Sequence, residues 1–549
     1  MKKVCLFFLS SIILLFSCHQ KQSQLPRPKL VIGIVIDQMR WDYLYRYYDK
    51  YGNTGFKRLL KHGFSCSNTL INHLPSQTAV GHSTIFSGSI PSIDGIAGND
   101  WIDQKTRQRI YCTDDSTVVS VGAASIDGKM SPRNLWVTTV TDELRLATNF
   151  QSKVIGVSLK DRASILPAGH TANGAFWFDD ESAGFITSSY YMQKLPKWVN
   201  DFNKEKNVDK FLKDGWNTLY PIKDYTESTG DNESWEGMLK GAQKPTFSFN
   251  LKTAYAADKS SFRNTPFGNT LTLQFAKAAI EGEELGQRDA TDFLTINCAS
   301  TDYVGHMTGT NSIEIEDTYL RFDKDLGDFL SYLDSKVGTD NYLLFISADH
   351  GASQSEGFLQ VNNIPSGLFD ENSEFERYKI NNALKQKFNT DSLAIGIDDD
   401  EVSFDERRID SLKLDKQQIK QTAINFLEGQ DGILYAVDEE HAATAPIPQR
   451  IRDMIINGYC KQRSGEVKII FQANWLPDEY KTGTTHSAWN PYDTHIPLLF
   501  YGWKIPHGES NETVYMTDIA PTVAALLHIQ MPSGCIGKPI VAITDKVNK

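Results

Sequence analysis

Acids and histidines recur where the apolar runs of this chain end. Asp37 closes LVIGIVID, Asp302 and His306 stand in DYVGH, and Asp349 and His350 stand in DHG. His486 lies in GTTHS, a loop of small residues near the end of the chain. Three carboxylates and three imidazoles supply two mixed sets of oxygen and nitrogen ligands. Zinc accepts both donors, and a catalytic site keeps one coordination position open. Alone, a strand-terminal aspartate usually caps a turn and a lone histidine is more often structural. Acid or histidine at each of these strand ends is harder to explain by capping.

A second constellation is HLPSQTAVGHST at 73–84. Thr78 stands just ahead of a helical pattern, where a hydroxyl residue is a natural N-cap. The same place would offer free backbone N–H groups and the positive end of the helix dipole to an anionic oxygen. Ser76 and Ser83 are rival hydroxyls, but Ser83 falls inside the helical pattern. In SLKDR, Lys160 and Arg162 are spaced i, i+2, which on a strand end puts both on one face. An ammonium beside a guanidinium fork suits the non-bridging oxygens of a phosphate; an exposed basic edge is the plainer reading. Asn99, in GIAGNDW, reads either as a turn residue or as a neutral donor in the loop after the Thr78 helix.

These residues need a frame. KLVIGIVID at 29–37 is a β-branched run of the kind buried in a parallel sheet. The segments at 152–162, 292–302 and 341–351 have the same form, and HIPLLFYG at 495–502 reads as a fifth strand. Helical patterns intervene after Thr78, at 134–149 and at 316–335. Alternating strands and helices predict an α/β fold, a mostly parallel central sheet with helices on both faces. In such sheets ligands bind beyond the carboxyl ends of the strands. Segments 176–290 and 355–480 lack this rhythm and read as insertions, the second an α+β subdomain within one catalytic domain at 29–549.

The net charge of −12 argues against general nucleic-acid binding, yet a local site for a small anionic substrate can still be cationic. Lys2, Lys3 and the apolar run Val4–Phe16 form a signal peptide at 1–17, too short to span a bilayer stably. LFSC resembles a lipoprotein box with Cys18 as the acylated residue, while Phe16 is uncommon there, so simple secretion competes. Residues 18–28 read as a flexible linker. Either route takes the protein out of the cytoplasm, to the periplasm. The seven cysteines show no C-x-x-C spacing. Export permits a disulfide, for which Cys66 and Cys112 are the first pair to consider; buried free thiols are the alternative.

Together, IDQMRWDYL, PSQTAVGH, GNDW, the KDR strand end, STDYVGH, SADHG and GTTHS resemble the alkaline phosphatase superfamily, and within it the PafA-type monomeric alkaline phosphatases of Bacteroidetes. The resemblance covers nearly the whole mature chain. It implies two Zn2+ per chain. One would be held by Asp302, His306 and His486, the other by Asp37, Asp349 and His350 with contact to the nucleophile Thr78. Asn99, Lys160 and Arg162 match side chains that touch the transferred phosphoryl group, and Lys160 takes the place of a magnesium ion found in other members. Glycine often follows the last histidine, where this chain has Ser487. The implied reaction is monoester hydrolysis through phosphothreonine, on small phosphorylated substrates, by a monomer. A nucleotide pyrophosphatase or phosphodiesterase of the same superfamily is the competing enzyme. A non-catalytic envelope lipoprotein is the competing class, although no expected ligand is missing.

Overall fold

A computed structural model describes residues 26–369 and 373–547. The signal segment, Cys18 and most of the linker lie outside the described residues. Apolar runs with no polar alternation must bury both faces, and they form the middle of a ten-stranded sheet. Its strands in chain order are β1 (Leu30–Ile36), β2 (Phe64–Cys66), β3 (Ser120–Val121), β4 (Val154–Ser158) and β5 (Gly174–Asp179), then β6 (Gly184–Ser188), β7 (Asp292–Cys298), β8 (Tyr342–Ser347), β9 (Leu498–Gly502) and β10 (Gly508–Ser510). Across the sheet they lie in the order β10-β2-β9-β8-β1-β7-β4-β5-β6-β3.

The central five, β8, β1, β7, β4 and β5, are parallel. The flanks are not: β9 runs antiparallel to β8, and β6 to β5. The expected fifth strand therefore exists but reverses direction, and the sheet is mixed around a parallel centre. Helices cover this centre in two groups. Thr78–Ser87 (α1), Val140–Ala147 (α2), Asp161–Ala168 (α3) and Ile519–Leu527 (α7) pack together, as do Phe267–Glu283 (α4), Ser300–Thr308 (α5) and Ile313–Lys336 (α6). Helix α2 starts later than its pattern predicts because Thr139 and Asp142 form a capping box at its N-terminus.

Segment 176–290 does not stand apart. It carries most of β5, all of β6 and α4, and its aromatic residues join the main core, with Phe185 stacked on Phe275 at 3.8 Å. Segment 355–480 is different. Ala394–Asp398, Glu401–Phe404, Val467–Phe471 and Ile433–Asp438 form a separate four-stranded sheet in that spatial order. Ile380, Leu384, Val402, Ile419 and Leu427 give it a core of its own. The Cys66–Cys112 disulfide does not form. Cys66 is buried in the main core and Cys112 in a small cluster beside Ala79 and Trp101, so both remain free thiols.

Candidate active site

Strand order decides which acids meet. β1 lies between β8 and β7, so Asp37, Asp349–His350 and Asp302 emerge side by side beyond the carboxyl ends of these strands. Asp37, Asp349 and His350 are completely buried, and ligand atoms of these three lie within 4.8 Å of one another. Asp37 Oδ1, Asp349 Oδ2 and His350 Nε2 have no hydrogen-bond partner. Leaving three such atoms unpaired in a low-dielectric interior is costly. A shared cation satisfies all three, so the donor set fits a metal ion.

His350 donates Nδ1–H to the Gly351 carbonyl at 3.0 Å, which leaves the Nε2 lone pair facing the acids. His486 does the same with the Ser76 carbonyl at 2.7 Å, and His306 with the Thr484 carbonyl at 2.9 Å. Backbone acceptors that set the ring tautomer in this way are typical of metal-ligating histidines. Burial pulls His350 down to about 4 and His486 well below the ordinary histidine range, favouring the neutral form that ligation requires.

A second group of donors lies beside the first and shares His350 with it. Asp302, His486 and His350 cluster within 4.8 Å, the two rings stacked at 3.5 Å. His306 adjoins this group, its Nε2 3.1 Å from Asp302 Oδ1 and its ring 5.1 Å from that of His486. Burial alone would lower His306, but this carboxylate outweighs it and raises the pKa.

Thr78 is the first residue of α1, not its N-cap; Gln77, in extended backbone, occupies that place. The threonine hydroxyl is thus not spent on capping. It accepts from Lys160 Nζ at 3.3 Å. Ser76 is also buried, but its hydroxyl donates to the Ala488 carbonyl at 3.2 Å, and that of Ser83 to the Val80 carbonyl at 2.9 Å.

Lys160 and Arg162 are not on one strand face. β4 ends at Ser158, Lys160 is the N-cap of α3 and Arg162 lies in its first turn. Lys160 is only 1% exposed, so its charge needs partners, and it has 2.6 Å and 2.9 Å contacts to Asp302 and Asp37. Desolvation alone would lower its pKa, but these carboxylates outweigh it and raise it. Arg162 donates to Tyr111 Oη at 3.1 Å and keeps a buried Nε–H unpartnered. Asn99 Oδ1 accepts from Ala79 N at 3.1 Å, which turns the amide nitrogen away from that contact as a donor.

Several residues at the site were missed by the sequence reading. Gln38, at φ 62, donates Nε2 to Asp302 at 2.8 Å and its backbone N–H to Asp349 at 3.2 Å. Asn297 donates to Asp37 at 3.2 Å, and Tyr111 braces Arg162. His82 places Nδ1 2.8 Å from the Thr78 carbonyl and 3.4 Å from Asp349. Gln38 adjoins a strand-end acid and His82 lies one turn after Thr78, which was the available clue; Tyr111 had none.

Residues 31–495 match the family described as type I phosphodiesterase / nucleotide pyrophosphatase. The chain is 55% identical over 529 residues to alkaline phosphatase PafA of Elizabethkingia meningoseptica, covering 96% of each. It is 48% identical over 541 residues to a protein of Myroides odoratus named a calcium-transporting ATPase, covering 98% of this chain and 97% of that one. The crystal structure of wild-type alkaline phosphatase PafA superposes with a TM-score of 0.92 at 54% identity, covering 95% of this chain and 99% of that one. With a family match across most of its length and a near-complete relative above half identity, the chain belongs to the type I phosphodiesterase / nucleotide pyrophosphatase family of the alkaline phosphatase superfamily, on the PafA-like branch.

Proposed function

We propose that this protein is an alkaline phosphatase that hydrolyses phosphate monoesters to alcohol and inorganic phosphate through a phosphothreonine at Thr78. The observation that carries the reading is the Lys160 ammonium, 3.3 Å from Thr78 Oγ1 and seated between Asp37 and Asp302. A buried cation beside a hydroxyl at a helix N-terminus suits a dianionic group in transfer.

Asp37, Asp349 and His350 would hold one zinc ion beside Thr78, and Asp302, His306 and His486 the other. When bound, the pair supplies Lewis-acid stabilisation of the entering and leaving oxygens. Thr78 Oγ1 forms the new bond to phosphorus as the bond to the leaving alcohol breaks. Water then cleaves the phosphothreonine and restores the hydroxyl. Lys160 steadies Thr78 Oγ1 and the equatorial oxygens of the loose transition state. Arg162, braced by Tyr111, offers its free Nε–H, and Asn99 offers its amide hydrogens. By the family resemblance, Lys160 would stand where other superfamily members hold a magnesium ion. The substrates are small phosphorylated molecules and the enzyme acts as a monomer. It is exported to the periplasm, with Cys18 as the lipid attachment point if the lipoprotein box is used.

The family description favours one rival, a diesterase. A monoester carries nearly two negative charges near neutral pH and a diester one, so two cations at the site favour the monoester. The test compares kcat/KM for an aryl phosphomonoester, a phosphodiester and ATP, with calcium as a variable because of the ATPase-named relative. Monoester preference is expected, with two zinc ions per chain by metal analysis and loss of activity on chelation. Arg162→Ala should cost on the order of 2–4 kcal/mol of transition-state stabilisation, more for the monoester. Thr78→Ala should abolish covalent phosphate, and Thr78→Ser should keep part of it. Diester preference in the wild type, or equal losses on both substrates, installs the rival. Mass spectrometry of the native N-terminus decides the anchor.

A further inference from the structure

Gln77 precedes the nucleophile and is 6% exposed. Both ends of its side-chain amide are used. Oε1 accepts from Asn99 N at 2.9 Å, and Nε2 donates to Asp399 Oδ1 at 2.6 Å. The amide has only one orientation compatible with these partners, since a backbone N–H can only donate and a carboxylate only accept. Asn99 is thereby held twice, by Gln77 at its backbone and by Ala79 N at its side chain.

Asp399 belongs to the inserted subdomain. It sits at the tip of the hairpin joining Ala394–Asp398 to Glu401–Phe404, with φ 50 at Asp399 and 61 at Asp400. Two consecutive positive φ values make a tight two-residue turn. Lys468 ties this turn down, donating Nζ to the Asp399 carbonyl at 2.5 Å. The tip reaches the active-site loop closely. A Cβ on Gly98 would lie 2.4 Å from Asp399 Oδ2, so the carboxylate packs directly against the residue next to Asn99.

We infer that Asp399 and Gln77 are positioning residues that set Asn99 for its contact with the phosphoryl group, so that the inserted subdomain tunes the active site. This rests on the phosphoryl role of Asn99 in the proposed function. Charge-assisted hydrogen bonds are stronger than neutral ones, and displacement of a positioned donor by about 1 Å costs up to about a hundredfold in rate.

The test is a set of double-mutant cycles on the full-length, metal-loaded protein, reading kcat/KM for an aryl phosphomonoester. Gln77→Ala and Asp399→Ala should each lower it about tenfold in the parent, but no more than about twofold in an Asn99→Ala background. Asp399→Asn keeps an acceptor oxygen and should recover most of the Asp399→Ala loss, which separates the hydrogen bond from a collapsed turn. Equal losses in both backgrounds, or none in the parent, overturn the relay while leaving the phosphatase reading intact. An Asn99→Ala variant with parental kcat/KM removes the phosphoryl role of Asn99 and the relay with it.

Discussion

Lys160 and Asp302 meet across the ends of two neighbouring strands, with the ammonium donating to Oδ2 at 2.6 Å. β4 and β7 pair in parallel register, so residues 142 positions apart arrive together. Both side chains are almost wholly buried. A buried pair of this kind contributes little net stability when intact, yet leaves an uncompensated charge when one partner is removed.

Lys160→Met keeps the volume and removes the charge. Its kcat/KM on a monoester should fall about a hundredfold or more. After chelation, denaturant unfolding should show a loss on the order of 3 kcal/mol relative to parent. Parental turnover in this variant would separate Lys160 from the chemistry.

Gly81 lets α1 lie against the turn that carries Asp349. A Cβ there would fall 2.4 Å from the Asp349 carbonyl oxygen and 2.7 Å from its Cβ. Gly81→Ala must push Thr78 and Asp349 apart. A cost of about 1–3 kcal/mol is expected from urea unfolding, with a loss of about tenfold or more in kcat/KM. Retention of both values would mean that the contact is softer than its geometry.

Ser487 follows His486 at φ 94, a backbone region that favours glycine. Ser487→Gly should raise stability by about 1 kcal/mol, seen as a higher Tm at fixed metal loading. A lower Tm would show that the serine side chain more than offsets the strain.

Asp94 is completely buried below the loop leading to Asn99, and burial pushes its carboxyl from 3.8 to about 7. A pKa raised in the folded state means stability that is full below the unfolded value of 3.8 and is lost as pH climbs through about 7. Asp94→Asn keeps the acceptor for Ile96 N, which Oδ1 now serves at 2.9 Å. Its stability should therefore fall less over that range. The difference above neutrality should reach up to roughly 4 kcal/mol, read from denaturation at several pH values. Parallel pH profiles for the two proteins would reject the assignment.

The acids and histidines at the strand ends were legible in one dimension. An unbroken β-branched run such as 30–36 has one good solution, a strand buried on both faces, and Asp37 at its end then needs no tertiary information to be placed. The same reasoning reached Asp302, Asp349 and His350, and the subdomain carrying 394–404 could be read from its own strands and helices. Tertiary structure alone decided the rest, because those features depend on which distant segments become neighbours. Lys160 is a buried bridge and not half of a strand-face pair, because β4 stops two residues earlier and a helix begins. His350 stacks on His486 because a loop from the far end of the chain folds over β8. The antiparallel direction of β9 and the packing of the aromatic residues of 176–290 into the main core are set by long-range pairing and packing, which have no local code. Gln77 meets Asp399 across 322 residues. A hydrogen bond between two polar side chains leaves no periodic trace, so nothing short of the folded chain could bring it to light.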